Sequence, residues 1–177
     1  MVMGEIILET DLVVLGGGPG GYTAAIHAAD QGMDVILVEK SSQFGGVCLT
    51  EGCIPSKTLI KAVSLKNEMS DAENMGLTFS EVHLDLDKLR SWMSSVIDSL
   101  SGGIQKLLEN RDIDVVQGTG HFLDEHRLHV EGANTIIKFK HAVIATGSRI
   151  NRLPDGIDAP VWSSAEALTL PQIPETL

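Results

Sequence analysis

The stretch DLVVLGGGPGGYTAAIHAA, residues 11–29, decides the fold, because it joins a short apolar run to a glycine-rich turn and a helix-forming segment. Gly16, Gly18 and Gly21 have the spacing G-x-G-x-x-G. In this motif the first glycine permits a tight turn, the second lets a pyrophosphate approach the backbone, and the third lets helix and strand pack closely. The stretch therefore predicts strand, turn and helix, with phosphate bound at the helix N-terminus.

A second apolar run, residues 35–38, follows this helix and ends at Glu39. A continuous apolar run is typical of a parallel strand that is buried on both faces. An acidic side chain at the end of that strand accepts hydrogen bonds from a ribose diol and repels a 2′-phosphate. Residues 9–40 are therefore expected to form a βαβ unit that binds FAD or NAD and not NADP. A solvated charge at the strand end is the alternative interpretation of Glu39.

The middle of the chain has the pattern of helices. Helix is predicted from Cys53 to about Met75, and again from Asp87 to Glu109, where apolar residues follow the 3.6-residue period. Gly102-Gly103 is expected to loosen the second of these helices. Residues 45–110 are thus predicted to form a helical excursion that begins with the helix of the cysteine pair.

Short β-like pieces follow the helical region. They lie at 115–116, 128–130 and 136–139. Gly132-Ala133-Asn134 predicts a hairpin turn between the last two pieces. We expect a small β-meander over 113–140, a closing strand over 141–148 and a proline-punctuated connector over 149–177. The expected class is α/β, a three-layer Rossmann-like domain of the FAD/NAD(P)-binding fold type, in one domain over residues 1–177.

The composition limits the possible partners. The chain is 43% hydrophobic and 21% charged, which is typical of a globular protein and not of a disordered one. It has 13 basic and 24 acidic residues and no block of Lys and Arg, so nucleic acid is not an expected partner. No apolar run approaches the roughly 18 residues of a membrane span, and no secretory signal is visible. We expect a cytoplasmic protein that binds no membrane.

Cys48 and Cys53 directly follow the βαβ unit. Two ligands do not complete a zinc site and the histidines lack finger-like spacing, so no metal is expected. Five residues of regular helix rise about 7.5 Å, beyond the roughly 7 Å between Cα atoms that a disulfide tolerates. A bridge therefore requires a distorted turn, which Gly52 makes easier. A helix beginning at Cys53, with Lys57 one turn further, favours thiolate chemistry. Two buried free thiols are the alternative.

Residues 45–57, GGVCLTEGCIPSK, resemble the redox motif of the pyridine nucleotide-disulfide oxidoreductases. The resemblance covers nearly the whole chain. Further matching segments are 15–21, 118–120 and 145–148. Ile54-Pro55-Ser56-Lys57 and Ser101-Gly102-Gly103-Ile104 are most similar to the dihydrolipoamide dehydrogenase branch of this family.

This resemblance implies a FAD-binding portion in which Cys48 forms the mixed disulfide with lipoamide and Cys53 lies against the flavin. The implied catalytic residues are Cys48, Cys53 and Lys57. The implied FAD-binding residues are Gly16, Gly18, Pro19, Gly20, Gly21, Glu39, Lys40, Gly45, Gly46, Val47, Cys48, Lys57, Gly120, Ala145, Thr146, Gly147 and Ser148. As the outer thiol, Cys48 is expected to alkylate faster than Cys53 after reduction.

Members of the family also carry an NAD-binding domain and a dimerisation domain, which are absent from these 177 residues. The resemblance implies a homodimeric parent that oxidises dihydrolipoamide on a 2-oxo acid dehydrogenase complex and passes the electrons to NAD. The chain alone is expected to have negligible NADH–lipoamide turnover. The alternatives are a glutathione- or mercuric-reductase-like enzyme, a non-catalytic flavin-binding module, or an NAD-binding domain with a structural or metal-bound cysteine pair.

One pair of residues departs from the family pattern. Thr50-Glu51 stands where the family usually has an asparagine and an apolar residue. A carboxylate between the cysteines is expected to raise the pKa of the thiols by like-charge repulsion. The resemblance therefore does not fix the redox potential of this pair.

Overall fold

The computed structural model describes residues 6–80, 83–151 and 161–176. The strands within these ranges are β1 Ile6–Leu15, β2 Val35–Glu39, β3 Asp114–Gln117, β4 Thr119–Asp124, β5 Arg127–Glu131 and β6 Thr135–Ile144. The helices are α1 Pro19–Asp30, α2 Gly46–Thr50, α3 Cys53–Glu73, α4 Leu86–Glu109 and α5 Ser164–Thr169. The chain divides into a first unit, Met1–Gly46 with Leu100–Arg149, and a second, Val47–Ser99 with Ile150–Leu177.

The first unit is built on one sheet with the strand order β3-β2-β1-β6-β5-β4. β1 pairs in parallel with both β2 and β6, and β2 pairs in parallel with β3. β5 is antiparallel to both β4 and β6. Strand β1, helix α1 and strand β2 form the expected βαβ unit. The predicted α/β, Rossmann-like class is confirmed.

The parallel strands form the core of the first unit. Val13, Val14, Leu37 and Val38 are completely buried, as the continuous apolar runs predict for strands that are covered on both faces. The antiparallel strands contribute to the same core, because Leu128 and Ile137 pack into one cluster with Val13 and Val38. This core holds the C-terminal ends of β1 and β2 in place. The glycine turn follows β1, and Glu39 is the last residue of β2.

The β-rich region differs from the predicted meander over 113–140 in the pairing of its first strand. β3, expected as its first strand, instead pairs in parallel with β2, from Ile36–Asp114 to Glu39–Gln117. There it satisfies backbone groups that β2 would otherwise present at an open edge. The hairpin turn at 132–134 forms as predicted, between β5 and β6.

The closing strand predicted over 141–148 is continuous with the last strand of the meander. β6 pairs with β1 along both halves, from Ile6–Thr135 to Leu15–Ile144. No glycine or proline interrupts residues 135–144, so the ladder continues across the boundary that the sequence suggested. Residues 145–148 lie beyond the strand and have irregular backbone.

Surface ion pairs accompany the long pairing of β1 with β6. Lys138 Nζ lies 3.1 Å from Glu9 Oε1, and Lys140 Nζ lies 2.6 Å from Asp11 Oδ1. The pKa of Asp11 is lowered, because Lys140 and the Asp34 N–H donate hydrogen bonds to its carboxylate. Both pairs are open to solvent, so they add little to the stability of the fold. Their main effect is to favour this register between β1 and β6.

Helix α4 confirms the predicted helical periodicity. Leu89, Met93, Ile97, Ile104 and Leu108 are its buried apolar residues. The helix continues through Gly102-Gly103, so the expected loosening is wrong. Burial of Ile97 and Ile104 on either side outweighs the roughly 1 kcal/mol that each glycine costs a helix. Among the described helices, none is both long and apolar enough to cross a membrane.

The connector predicted over 149–177 contains a helix, α5, that was not predicted. Ser163 and Glu166 form a capping box at the start of α5, in which the Ser163 hydroxyl accepts from the Glu166 N–H and the Glu166 carboxylate accepts from the Ser163 N–H. The pattern Ser-x-x-Glu was the available signal. Arg90 on α4 donates to the carbonyls of Leu170 and Pro171 after this helix. Residues 152–160 and 177 of the predicted connector lie outside the described residues.

Gly103→Ala is expected to raise the free energy of unfolding by about 0.5–1 kcal/mol, because an alanine loses less backbone entropy in a helix. An added Cβ at Gly103 would meet nothing within 4 Å. Urea unfolding followed by circular dichroism measures the change. Gly118→Ala is the opposite control, since its Cβ would overlap the Glu131 carbonyl oxygen and it should destabilise. A loss of stability in Gly103→Ala would show that this part of α4 needs glycine.

Candidate functional site

The glycine turn between β1 and α1 has the tight geometry that the motif predicts. Gly16 has a φ of +107°, and a Cβ there would overlap the carbonyl oxygen of Ala145. A Cβ on Gly21 would overlap the carbonyl oxygen of Gly16. Glycine is thus required at the first and third positions of the motif by close backbone packing.

Helix α1 presents uncapped backbone donors at this turn. Gly18 is the N-cap residue and has no side chain with which to cap the helix. Pro19 follows at the first helical position, where a missing N–H costs nothing. In the first helical turn the Gly21 N–H donates to the Gly18 carbonyl at 2.9 Å. The Gly20 N–H has no acceptor four residues back within the helix, and the helix dipole adds positive potential there. The helix start is therefore suited to an anionic group such as a pyrophosphate.

Glu39 faces the glycine turn from the end of β2. Its Oε2 accepts a hydrogen bond from the Gly17 N–H at 2.5 Å, and its Oε1 accepts one from the Ser41 N–H at 2.8 Å. The carboxylate is held against the turn and is not a free charge at a strand end. Gly17 was absent from the predicted site residues, although its place inside the motif was a signal for it.

A second glycine segment lies on the first. The Gly45 N–H donates to the Gly17 carbonyl at 2.9 Å, and a Cβ on Gly46 would meet the Gly18 Cα at 2.8 Å. Gly45 and Gly46 have φ angles of +105° and +57°, which favour glycine. Two parts of the predicted site, the dinucleotide motif and the start of the redox motif, are therefore brought together within the first unit.

Ser101 fixes the residues that precede this second glycine segment. Its side chain is only 6% exposed, and its Oγ accepts a hydrogen bond from the Phe44 N–H at 2.8 Å. Ser101 belongs to the segment Ser101-Gly102-Gly103-Ile104 that carries the family resemblance, and no role was predicted for it. The signal for this role was a serine on the apolar stripe of α4, because a buried hydroxyl is normally hydrogen-bonded.

The segment after β6 completes the surroundings of the glycine turn. The Ala145 N–H donates to the Leu15 carbonyl at 2.8 Å, and Ala145 and Thr146 lie next to Gly16. Gly147 has a φ of +74°, and Ser148 is exposed, as is Lys40 after β2. These positions leave side chains and backbone accessible near the turn.

Gly120, predicted to contact FAD, has a packing role in the structure. A Cβ at this position would lie 2.6 Å from Leu15 Cδ1 and 3.1 Å from Leu128 Cδ2. The glycine therefore lets β4 approach the side chains of two core strands.

The cysteine pair belongs to the second unit, where Cys48 and Cys53 form a disulfide with their Cα atoms 4.8 Å apart. Cys48 lies in α2 and Cys53 begins α3. Glu51 and Gly52 break the helix between them, and Gly52 has φ −134° and ψ −95°. The predicted distorted turn is confirmed, and the alternative of two free thiols is wrong. No three His, Cys, Asp or Glu side chains of the described residues gather closely enough to hold a metal ion.

The solvent exposure of the two cysteines does not follow the expectation that Cys48 is the outer one. Cys53 is exposed at the start of α3, whereas Cys48 is half-buried beside the buried Leu49. Lys57 is also exposed and lies one turn beyond Cys53. Exposure alone therefore does not favour faster alkylation of Cys48. Val47, the residue before Cys48, is 60% exposed.

Comparisons with known proteins agree with this arrangement. A family model described as pyridine nucleotide-disulphide oxidoreductase matches residues 10–177. The dihydrolipoyl dehydrogenase of Haloferax volcanii is 46% identical over 185 residues, and that of Bacillus subtilis is 43% identical over 180 residues. Each match covers 100% of this chain and 38% of the relative, so the chain spans under two fifths of their length.

A solved structure is also similar. The HOCl-induced flavoprotein disulfide reductase RclA from Escherichia coli superposes with a TM-score of 0.68 at 30% sequence identity. The superposition covers 89% of this chain and 33% of that protein.

Gly46→Ala is expected to lower the free energy of unfolding by about 2 kcal/mol, because its Cβ must push two backbone segments apart. Gly32→Ala is the matched control: Gly32 also has a positive φ, +83°, but a Cβ there would meet nothing within 4 Å. Backbone strain alone should cost the control about 1 kcal/mol. Urea unfolding compares the two variants. Equal losses would contradict a tight contact between Gly18 and Gly46.

Proposed function

The chain belongs to the pyridine nucleotide-disulphide oxidoreductase family, and from that premise we propose that it binds FAD on its glycine turn and exchanges electrons through the Cys48–Cys53 disulfide. One observation carries the proposal. Gly45 and Gly46 rest on the dinucleotide motif, and Cys48 follows Gly46 by two residues in the sequence. The relatives named dihydrolipoyl dehydrogenase confirm the resemblance to that branch.

The residues of the first unit fit the pyrophosphate and the ribose of a dinucleotide. The uncapped start of α1 offers N–H donors to the pyrophosphate. Glu39 accepts from the Gly17 N–H, which holds its carboxylate where a ribose diol can donate to it. When bound, FAD supplies an acceptor for the two electrons of a dithiol. We propose Gly45 to Val47, Lys57 and the segment from Ala145 to Ser148 as further contacts, which the resemblance supports.

The two sulfur atoms are suited to different roles. Cys53 is the first residue of α3, where the helix dipole stabilises a thiolate, and Lys57 adds positive charge one turn away. A better-stabilised thiolate is the better leaving group in disulfide exchange. An incoming thiolate therefore attacks Cys48 Sγ. The bond between the two cysteines breaks, a new bond to Cys48 forms, and the electron pair leaves on Cys53.

For the whole protein we propose dihydrolipoyl dehydrogenase activity. Its substrate would be dihydrolipoamide on a 2-oxo acid dehydrogenase complex, its final acceptor NAD, and its active form a homodimer. The names of the relatives at 39–46% identity support this proposal. A redox-active cysteine pair is typical of a reducing compartment, which supports a cytoplasmic location. We expect the 177-residue chain alone to show negligible turnover.

The second candidate is a disulfide reductase that works in the opposite direction, towards reduction of its substrate. The similarity to the flavoprotein disulfide reductase of Escherichia coli favours it. Dihydrolipoyl dehydrogenase remains the first proposal because those relatives match the whole chain at higher identity.

The purified chain is expected to bind FAD more tightly than FMN, because FMN lacks the adenosine half that Glu39 and the glycine turn would hold. Glu39→Gln should weaken FAD binding by about tenfold, the loss of a hydrogen bond to a charged group. Flavin fluorescence titration measures both. Glu125→Gln is a charge-matched control on the exposed turn between β4 and β5. Equal affinities for FAD and FMN would reject the dinucleotide site.

Bound FAD is expected to change which thiol reacts first. Without flavin, the more exposed Cys53 should alkylate at least as fast as Cys48 after reduction. With FAD bound, Cys53 should become the slower thiol, because the proposed flavin contact covers it. Timed alkylation with iodoacetamide and peptide mass spectrometry follows both cysteines. An order that FAD leaves unchanged would contradict the proposed role of Cys53.

A further inference from the structure

Glu51 lies inside the loop that the disulfide closes, and we propose that it makes Cys48 exchange faster with cationic thiols than with anionic ones. This inference rests on the proposed redox role of the cysteine pair and adds a substrate preference to it. The preference concerns the charge that the incoming thiol carries near its sulfur.

The backbone places Glu51 beside Cys48. The Glu51 N–H donates to the Val47 carbonyl at 3.0 Å, which is the bond that continues a helical turn beyond α2. Residues three apart on such a turn are neighbours, with Cβ atoms about 5–6 Å apart. Cys48 and Glu51 have this spacing. The disulfide closes the loop that contains Glu51, and the Cα atoms of its two cysteines lie 4.8 Å apart.

The Glu51 side chain is exposed, and no Lys, Arg or His of the described residues forms an ion pair with it. Lys57, the nearest basic residue in the sequence, lies on α3 at the helical i, i+4 spacing from Cys53. Glu51 therefore places a negative charge within the disulfide loop, one helical turn from Cys48, and Lys57 places a positive charge one turn beyond Cys53.

An incoming thiolate that attacks Cys48 Sγ must bring its own substituents close to this carboxylate. For a unit charge about 7 Å away in water, the Coulomb interaction changes the rate by about threefold at low salt. Cationic and anionic thiols are shifted in opposite directions. The ratio of their rate constants should thus contain a contribution of about fivefold or more from Glu51.

The test uses the oxidised 177-residue chain and three small thiols: cysteamine, 2-mercaptoethanol and 3-mercaptopropionate. Rate constants for mixed-disulfide formation at Cys48 are measured by acid quench and peptide mass spectrometry, and each is corrected for the thiolate fraction of the reagent. Glu51→Gln is compared with Glu68→Gln, an exposed charge-matched control 15 residues along α3 from Cys53. Comparing variants cancels the intrinsic nucleophilicity of each thiol.

The expected result is a cysteamine-to-mercaptopropionate ratio that falls about fivefold in Glu51→Gln and stays unchanged in Glu68→Gln. The wild-type ratio should also fall in 1 M salt, where the Debye length is about 3 Å. An unchanged ratio in Glu51→Gln, with Cys48 still reacting, would overturn this inference and leave the proposed function intact. Reaction of all three thiols at Cys53, or at neither cysteine, would overturn both.

Discussion

The structure of the site depends on the close backbone approach of two glycine segments, one in the turn after β1 and one before α2. Gly46 would press a Cβ into Gly18, and Gly45 donates its N–H to the Gly17 carbonyl. Neither contact leaves space for side chains between the segments. The approach is possible because β1 and β2 are anchored in a fully buried core, from which the turn and Glu39 both emerge. The packing of the core therefore determines both the geometry of the glycine turn and the position of the Glu39 carboxylate.

Local patterns in the sequence were enough to predict the elements that position this site. β2, α1 and the two long helices follow from continuous apolar runs and from helical periodicity, which are properties of neighbouring residues. The roles of Gly16 and Gly21 follow from the motif, because their restriction arises from the turn itself. The distorted turn between the cysteines follows from helix geometry and the span of a disulfide.

Features that depend on distant partners were not predictable in the same way. β3 has the same local pattern as a meander strand, and only the free edge of β2 decides where it pairs. The bond from Gly17 to Glu39 joins residues that lie 22 apart in the sequence. The exposure of Cys53 depends on what packs over the first turn of α3, which its own sequence does not record. The helix α5 is a different case, since its capping box was a local signal that was missed.

Ser101 places a hydroxyl group on the apolar, buried face of α4. A hydroxyl on the buried stripe of α4 costs free energy unless it finds a partner, and the buried Phe44 N–H would be equally costly alone. Each group satisfies the other. Because side chains on a helix face recur only every three or four residues, this bond fixes which residue of α4 faces the segment before Gly45. The hydrogen bond therefore couples the register of a long helix to the position of the second glycine segment, on which the geometry of the turn depends.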